Sequence, residues 1–360
     1  EDPAQAWNAL TVGAYTDKVN ITDPSYWGWQ PIGAPGDLSP SSRTSVAWSR
    51  QWPIKPDVVF EGGNFAGDGM QAPEPIDDLR LLTTHSKPNL RLLDTIGDTS
   101  GASALAANMA ARIMAARPGL WPETVRGLIV HSAEWTPAMQ ARMAGRSKAE
   151  LHSLLRRYGY GVPDFDRAIL SASNDLTLLI EDELNPFDKE QGSSAAKSKD
   201  MRLHRLPWPR RELQALGEMP VEFRITLSYF VEPNPGERGW TRRHRYASHN
   251  LRFAVKRATE TVDDFRRRIN RVAREEEEGI SVSSGAGDDN WYLGGTVRDR
   301  GSLHSDWWRG TAADLAGRDA IGIYPVGGWW KEKPHLDRWN TAARYALIVT
   351  IRAPGTNVDL

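Results

Sequence analysis

Two kinds of hydrophobic periodicity divide the chain. In the first half, apolar residues come in short runs between long Gly/Pro-rich stretches. Ala9-Leu10-Thr11-Val12-Gly13-Ala14 reads as a short buried strand. Lys55-Pro56-Asp57-Val58-Val59-Phe60 reads as a second, stopped by Gly62-Gly63. Residues 23–53 and 64–89 read as long irregular connections, and such loops tend to be functional. Leu105 to Ala116 is rich in Ala, the best helix former, with Arg117 in the last turn and Pro118-Gly119 as the stop. Small side chains on nearly every face predict a central, buried helix. Pro122 to Val130 predicts a second helix, with Pro122 suited to a first-turn position. Ser147 to Arg157 and Pro163 to Ala172 predict two more, separated by Tyr158-Gly159-Tyr160-Gly161.

From about residue 174 the pattern changes to period two. Leu176 to Ile180 opens a strand, and Lys189 to Lys199 is a polar loop. Val221, Phe223, Ile225, Leu227 and Val231 alternate with Glu222, Arg224, Thr226 and Ser228, which predicts a half-buried strand. Leu251, Phe253 and Val255 repeat the alternation, as do Tyr345, Leu347, Val349 and Ile351. Thr261 to Glu278 predicts one charged helix with Val262, Phe265, Ile269 and Val272 on its apolar face. The expected organisation is an α/β domain with a parallel sheet over residues 1–174. An all-β sandwich or jelly-roll-like domain carrying that one helix follows over 175–360.

Composition narrows the chemistry. The 360 residues suit about two domains of roughly 150 residues. Lys+Arg 45 against Asp+Glu 46 leaves a net charge of −1, so neither nucleic acid nor an anionic membrane is an expected partner. No run approaches the roughly 20 apolar residues of a membrane span. Zero Cys excludes disulfides, thiolate metal sites and a Cys nucleophile. It fits a cytoplasmic bacterial protein, and a secreted one equally well. No His or Glu/His spacing suits a metal, and no cofactor is expected. The 15 Trp outnumber both Phe and Tyr. Trp291, Trp307, Trp308, Trp329, Trp330 and Trp339 cluster late, and core filling is the expected role, with an exposed binding platform as the alternative. The chain opens Glu1-Asp2-Pro3, with no initiating Met, which reads as a processed piece or part of a longer protein.

The most distinctive segment is Gly97-Asp98-Thr99-Ser100-Gly101-Ala102, placed at the start of the Ala-rich helix. Free N–H groups at a helix start stabilise a nearby anion, which suits an oxyanion formed when a Ser hydroxyl attacks a carbonyl. The same residues also read as a plain helix cap, with Thr99 or Ser100 as N-cap.

Thr99-Ser100-x-Ala102 resembles the nucleophile motif Gly-Thr-Ser-x-Ala-x-Pro of subtilisin-like serine peptidases, the subtilases. Five further segments are similar to that family in the same order: Asn8 to Ala14, Leu38 to Arg43, Lys55 to Val59 followed by Gly62-Gly63, Pro118 to Ala133, and Tyr158-Gly159-Tyr160-Gly161-Val162-Pro163. The resemblance implies the C-terminal half of a three-layer α/β/α peptidase domain, with Ser100 as nucleophile. It implies a peptide or protein substrate and an acyl-enzyme mechanism. The sequence departs from the motif at Asp98, where the family has Gly, and at Ala104, where it has Pro. The family's catalytic Asp, His and oxyanion Asn precede the segment where this chain opens. The N-terminal part of the same peptidase domain is therefore an expected partner, and this chain alone is expected to be inactive. Among other bases, His85, His131 and His152 read as structural or solvent-facing. Gly301 to Asp306 holds Ser302, His304 and Asp306 in close succession, which is not by itself a triad. Glu275 to Glu278 reads as a solvated helix end. A catalytically inactive subtilase-like protein, binding protein or glycan through its Trp-rich region, is the alternative.

Overall fold

The computed structural model describes residues 3–49, 52–172, 177–235, 246–277 and 290–352. The contacts divide the chain into two units, residues 1–120 with 128–170, and residues 121–127 with 171–360.

The first unit begins with β1 (Val12–Thr16), β2 (Gln30–Pro31), β3 (Asp37–Leu38), β4 (Val58–Glu61) and β5 (Ala66–Gly67). It continues with the hairpin β6 (Leu81–Thr84) and β7 (Leu93–Ile96), then α1 (Asp98–Ala116). Helix α2 (Pro122–Ser132) contributes its first residues to the second unit and its last to the first. Helices α3 (Pro137–Met143), α4 (Lys148–Tyr158) and α5 (Phe165–Ser171) follow. β1 pairs parallel with β4 and antiparallel with β3, and α1 lies against β1 and β4. Helix α4 starts with a full capping box, Ser147 with Glu150, so two orphan N-terminal groups are satisfied reciprocally.

The strand segments hold together through one buried ion pair. Lys55 Nζ donates to Asp57 Oδ2 at 2.7 Å and to the Ala9 carbonyl at 2.7 Å. The same carboxylate oxygen accepts the Thr11 N–H at 2.7 Å. The Asp57 carbonyl accepts the Tyr160 N–H, and Val59 N–H donates to the Gly161 carbonyl. Gly159, with φ +55°, approaches so closely that a Cβ there would sit 2.3 Å from the Asp57 carbonyl oxygen. The Lys-Pro-Asp and Gly-Tyr-Gly segments are therefore one interlocked feature.

Helix α1 differs from the sequence expectation. Only Gly101, Ala102, Ala106, Met109 and Ile113 of its residues are buried. These form the stripe that meets β1 and β4. On the other faces Phe165 lies against Arg112, while Ala104, Leu105, Ala107, Ala111 and Met114 are exposed. Small side chains announce a helix that neighbours can approach, without supplying the neighbours.

The second unit contains β8 (Thr177–Leu184), the short pair β9 (Phe187–Asp188) and β10 (Lys197–Ser198), and β11 (Arg202–Arg205). Then come α6 (Arg210–Leu216), β12 (Pro220–Tyr229), β13 (Asn250–Val255) and α7 (Val262–Glu277). Helix α8 (Gly295–Arg298), β14 (Leu303–Thr311), α9 (Ala312–Gly317), β15 (Ala320–Val326), α10 (Trp329–Glu332) and β16 (Ala343–Arg352) complete it. Two antiparallel sheets result, ordered β14-β12-β16-β8 and β11-β15-β13. The unit is β-rich and, among the described residues, carries α6, α8, α9 and α10 and the first residues of α2 besides the charged α7. Phe265 and Ile269 of α7 are buried against Ala320, Tyr324 and Val326, as the apolar face predicted. The sequence boundary near residue 174 and the Glu278 end of α7 lie outside the described residues.

The half-buried strand expected at 221–231 is buried on both faces. Arg126, from the start of α2, donates through Nε to Ser228 Oγ at 3.1 Å and through an NH2 group to the carbonyls of Tyr229 and Ser302. Gly127 lies over Ser228 and Ile348, close enough that a Cβ would be 3.0 Å from Ile348 Cδ1. Arg224 bonds Ser305 Oγ and stacks on Trp307. The polar face is thus covered by a segment about a hundred residues upstream in sequence.

His249 and His304 both pack on the Tyr229 ring in this interior. Burial pushes each imidazole down to about 3, so both are neutral in the folded state near neutral pH. Their ordinary value is near 6.5. The stability they contribute is fully present above that value and is lost as pH falls toward 3. Burial pushes Asp306 up to about 6, so its protonation works in the opposite direction below pH 6. With two groups against one, thermal melts between pH 8 and pH 4 should show a plateau above pH 7 and a falling Tm below it. Imidazole NMR spectra should show both rings still neutral at pH 5.

In the first unit, Asp57→Ala leaves the Lys55 ammonium buried without its carboxylate. Chemical denaturation should report a loss of about 3–5 kcal/mol.

Candidate active site

β4 ends at Gly62-Gly63, and β7 delivers the chain beside it. Asp98 N–H donates to the Gly62 carbonyl at 2.7 Å. A Cβ on Gly62 would lie 2.5 Å from Ala14 Cβ and 3.0 Å from the Asp98 carbonyl oxygen, so only glycine fits there. The loop at Leu38 to Arg43 secures the surroundings. Ser39 Oγ donates to the Gly63 carbonyl at 2.7 Å, and Ser42 Oγ accepts the Ala14 N–H at 2.9 Å. Gly101 is fixed from the other side, since a Cβ would meet Leu81 Cδ1 at 2.8 Å.

The turn into α1 is tight. Gly97 is the N-cap and makes no side-chain cap bond. Neither Thr99 nor Ser100 is the N-cap: they lie inside the first turn, and the capping interpretation of these residues is overturned. Asp98 takes φ +63°, the left-handed region that favours glycine. Ser100 is exposed. Its hydroxyl stands at the start of a 19-residue helix, beside first-turn N–H groups that have no partner within the helix. Such a hydroxyl is reachable by a substrate, but it needs an adjacent base to act as a nucleophile near neutral pH.

The histidines of this unit do not supply that base. His85 sits past the far end of the β6–β7 hairpin, separated from the α1 start by the four residues of β7, about 13 Å of strand. Its Nδ1 accepts the Lys87 N–H at 3.0 Å and its Nε2 faces Asp94 Oδ2 at 3.7 Å. His131 is buried within α2. His152 accepts from Arg156 Nε at 3.3 Å on α4. This hairpin overlaps the expected connection 64–89 and runs beyond it. The signal that could have found it is a pair of four-residue runs, Leu81 to Thr84 and Leu93 to Ile96, around Pro88-Asn89.

In the second unit, Ser302, His304 and Asp306 do not form a relay. Ser302 Oγ receives Arg126 at 3.4 Å, His304 Nε2 meets the Gly301 carbonyl at 3.0 Å, and Asp306 accepts the N–H groups of Leu293, Gly294 and Trp307. Trp307, Trp308, Trp329 and Trp330 are buried, and Trp291 and Trp339 are half-buried. No exposed indole platform exists among these six. Among the described residues no group of three or more His, Asp or Glu is placed to hold a metal ion.

Residues 1–161 match the model of the subtilase family of peptidases. Over these residues the chain is similar to the subtilases. The chain is also 28% identical over 234 residues to "Uncharacterized protein y4bN" of Sinorhizobium fredii (strain NBRC 101917 / NGR234). The match takes in 63% of this chain and 50% of that protein, so the chain spans about half the length of this relative. The subtilase stretch contains the Lys55–Asp57 pair, the Gly62 contact and the Ser100 turn, and it supports a peptidase-like function.

Asp98 departs from the subtilase motif at a backbone position made for glycine. Holding a non-glycine residue there costs about 1–2 kcal/mol, less for Asp than for most. Its charge at a helix N-terminus returns about 0.3–1 kcal/mol. Asp98→Gly should therefore leave stability equal or raise it by up to about 1 kcal/mol. Asp98→Val should lower it by about 1–2 kcal/mol. Thermal or urea denaturation distinguishes these outcomes.

Proposed function

We propose that the chain is the nucleophile-bearing part of a subtilisin-type serine endopeptidase. The observation that carries this reading is the exposed Ser100 in the first turn of α1, within a subtilase segment. Ser100 Oγ attacks the scissile carbonyl of a peptide or protein and forms an acyl-enzyme, which water hydrolyses. The first-turn N–H groups of α1 help to hold the developing oxyanion. A His from the preceding part of the same peptidase domain takes the Ser100 proton, and an Asp from that part orients the imidazole. Zero net contribution from metal or cofactor is needed for this chemistry.

The exposed stripe Ala104, Ala107, Ala111 and Met114 supports the same partner. These positions follow the 3–4 spacing of one helix face, and they carry no polar group. The preceding part of the domain would cover them. The second unit is inferred to be a sandwich of its two sheets, with Phe223, Phe253 and Trp291 meeting edge-on or tilted between them. By analogy with subtilases that carry a β-rich C-terminal domain, it braces the peptidase part or selects substrates.

A fluorophosphonate probe tests the reading on the full-length protein that contains this chain. Labelling is expected, together with its loss in Ser100→Ala. The chain alone should remain unlabelled. Labelling that survives Ser100→Ala refutes the assignment, and a folded full-length protein that never labels refutes the activity.

A further inference from the structure

Among the described residues, the two most exposed large apolar side chains emerge at one place. β2 and β5 pair antiparallel, with Gln30 opposite Gly67 as the last pair. Trp27 lies three residues before Gln30, and Met70 lies three residues after Gly67. In an antiparallel ribbon both therefore leave by the same end. Trp27 is 92% exposed and Met70 87%. Ile32, on the same ribbon, is also exposed and lies over Gly67.

This exposure does not come from a loose loop. Ala66, Ile76 and Leu79 form a small core beneath the ribbon, with Ile21, Tyr26 and Trp29 packed against it. Carboxylates tie both tips. Asp78 accepts the N–H groups of Thr22 and Asp23, and Asp23 caps the turn that leads to Trp27 by accepting the Ser25 N–H. Asp68 accepts the N–H groups of Met70 and Gln71. These bonds hold the Asp68 and Asp78 carboxyls below their usual range, so both stay charged near neutral pH. A side chain held in place loses little freedom on binding, which is the condition under which an exposed Trp contributes most to an interface.

The two stretches that carry the tips are acidic: residues 19–35 and 64–79 contain Asp23, Asp68, Glu74, Asp77 and Asp78 and no Lys or Arg, with Lys18 and Arg80 as the first cations beyond them. A second copy of the same surface would be repelled, and so would nucleic acid or an anionic membrane. We propose that the Trp27–Met70 tip is a docking surface for a basic, amphipathic polypeptide segment of a partner protein. Its apolar side chains would bury Trp27 and Met70 while its Lys or Arg face the carboxylates of these two stretches. The proposal is independent of the chemistry at Ser100.

The test uses a fluorescein-labelled amphipathic peptide of Leu and Lys, its Leu/Glu counterpart, and the whole chain. Fluorescence anisotropy should report binding of the Leu/Lys peptide, weakening as salt is raised, and none of the Leu/Glu peptide. Trp27→Ala with Met70→Ala should weaken binding at least tenfold. Both side chains are almost wholly exposed, so the melting curve should hardly move. Asp68→Asn keeps an acceptor for the turn but removes a charge, and should weaken binding severalfold. Leu90→Ser with Leu92→Ser, which removes exposed leucines from the β6–β7 hairpin, should leave it unchanged. Equal binding of the two peptides, unchanged binding by the Trp27/Met70 double variant, or loss caused by the hairpin variant overturns the proposal.

Discussion

The subtilase segment depends on the Lys55–Asp57 pair, and on the fact that Asp57 is used at both ends. Its carboxylate collects the ammonium and the Thr11 N–H, which fixes the approach to β1. Its carbonyl collects the Tyr160 N–H, which fixes the far end of the same segment. A buried charge is costly unless each of its bonding sites is filled, and here the fillers come from three separate stretches. Once β1 and β4 are set, Gly62 is set, and Gly62 is the surface on which Asp98 turns. The position of Ser100 thus follows, through Gly62, from a buried charge pair.

What the sequence made legible depended on whether the causes were local. Helix α4 could be read because Ser147, Glu150 and Gly159 define both its ends. Helix α7 could be read because Phe265 and Ile269 keep helical spacing amid charged neighbours. Strand β12 was legible as a strand but not as a buried one. Alternation names two faces, and nothing in it says that Arg126 and Gly127 will cover the polar face. The α1 helix failed in the opposite sense, since alanines permit burial without causing it. At the candidate site, Ser100 was legible by its motif. The left-handed Asp98 and the close approach of Gly62 were not, because both are backbone facts settled by tertiary contacts.

The abundance of tryptophan has a physical account in the second unit. Arg224 lies over Trp307, Arg318 over Trp308, and Arg298 near both Trp291 and Phe253. A guanidinium buried beside carboxylates, as Arg298 is beside Asp299 and Asp306, needs neighbours that tolerate a cation without competing for its hydrogen bonds. An indole face offers that. Here the tryptophans serve as walls for an interior unusually rich in charge.

Helix α2 has a consequence for how this architecture could be divided. Its first residues, Trp121 to Gly127, belong with strands that begin at Thr177. Glu123 pairs with Arg344, Glu181 accepts from Trp121 N–H and the Thr124 hydroxyl, and Arg126 fills the face of β12. A gene fragment cut where composition changes would leave those partners behind. The β-rich unit would then expose Ser228, Glu181 and Arg344 with nothing to meet them. Cutting the chain at residue 174 therefore removes from the β-rich unit the seven residues, Trp121 to Gly127, that fill its polar positions.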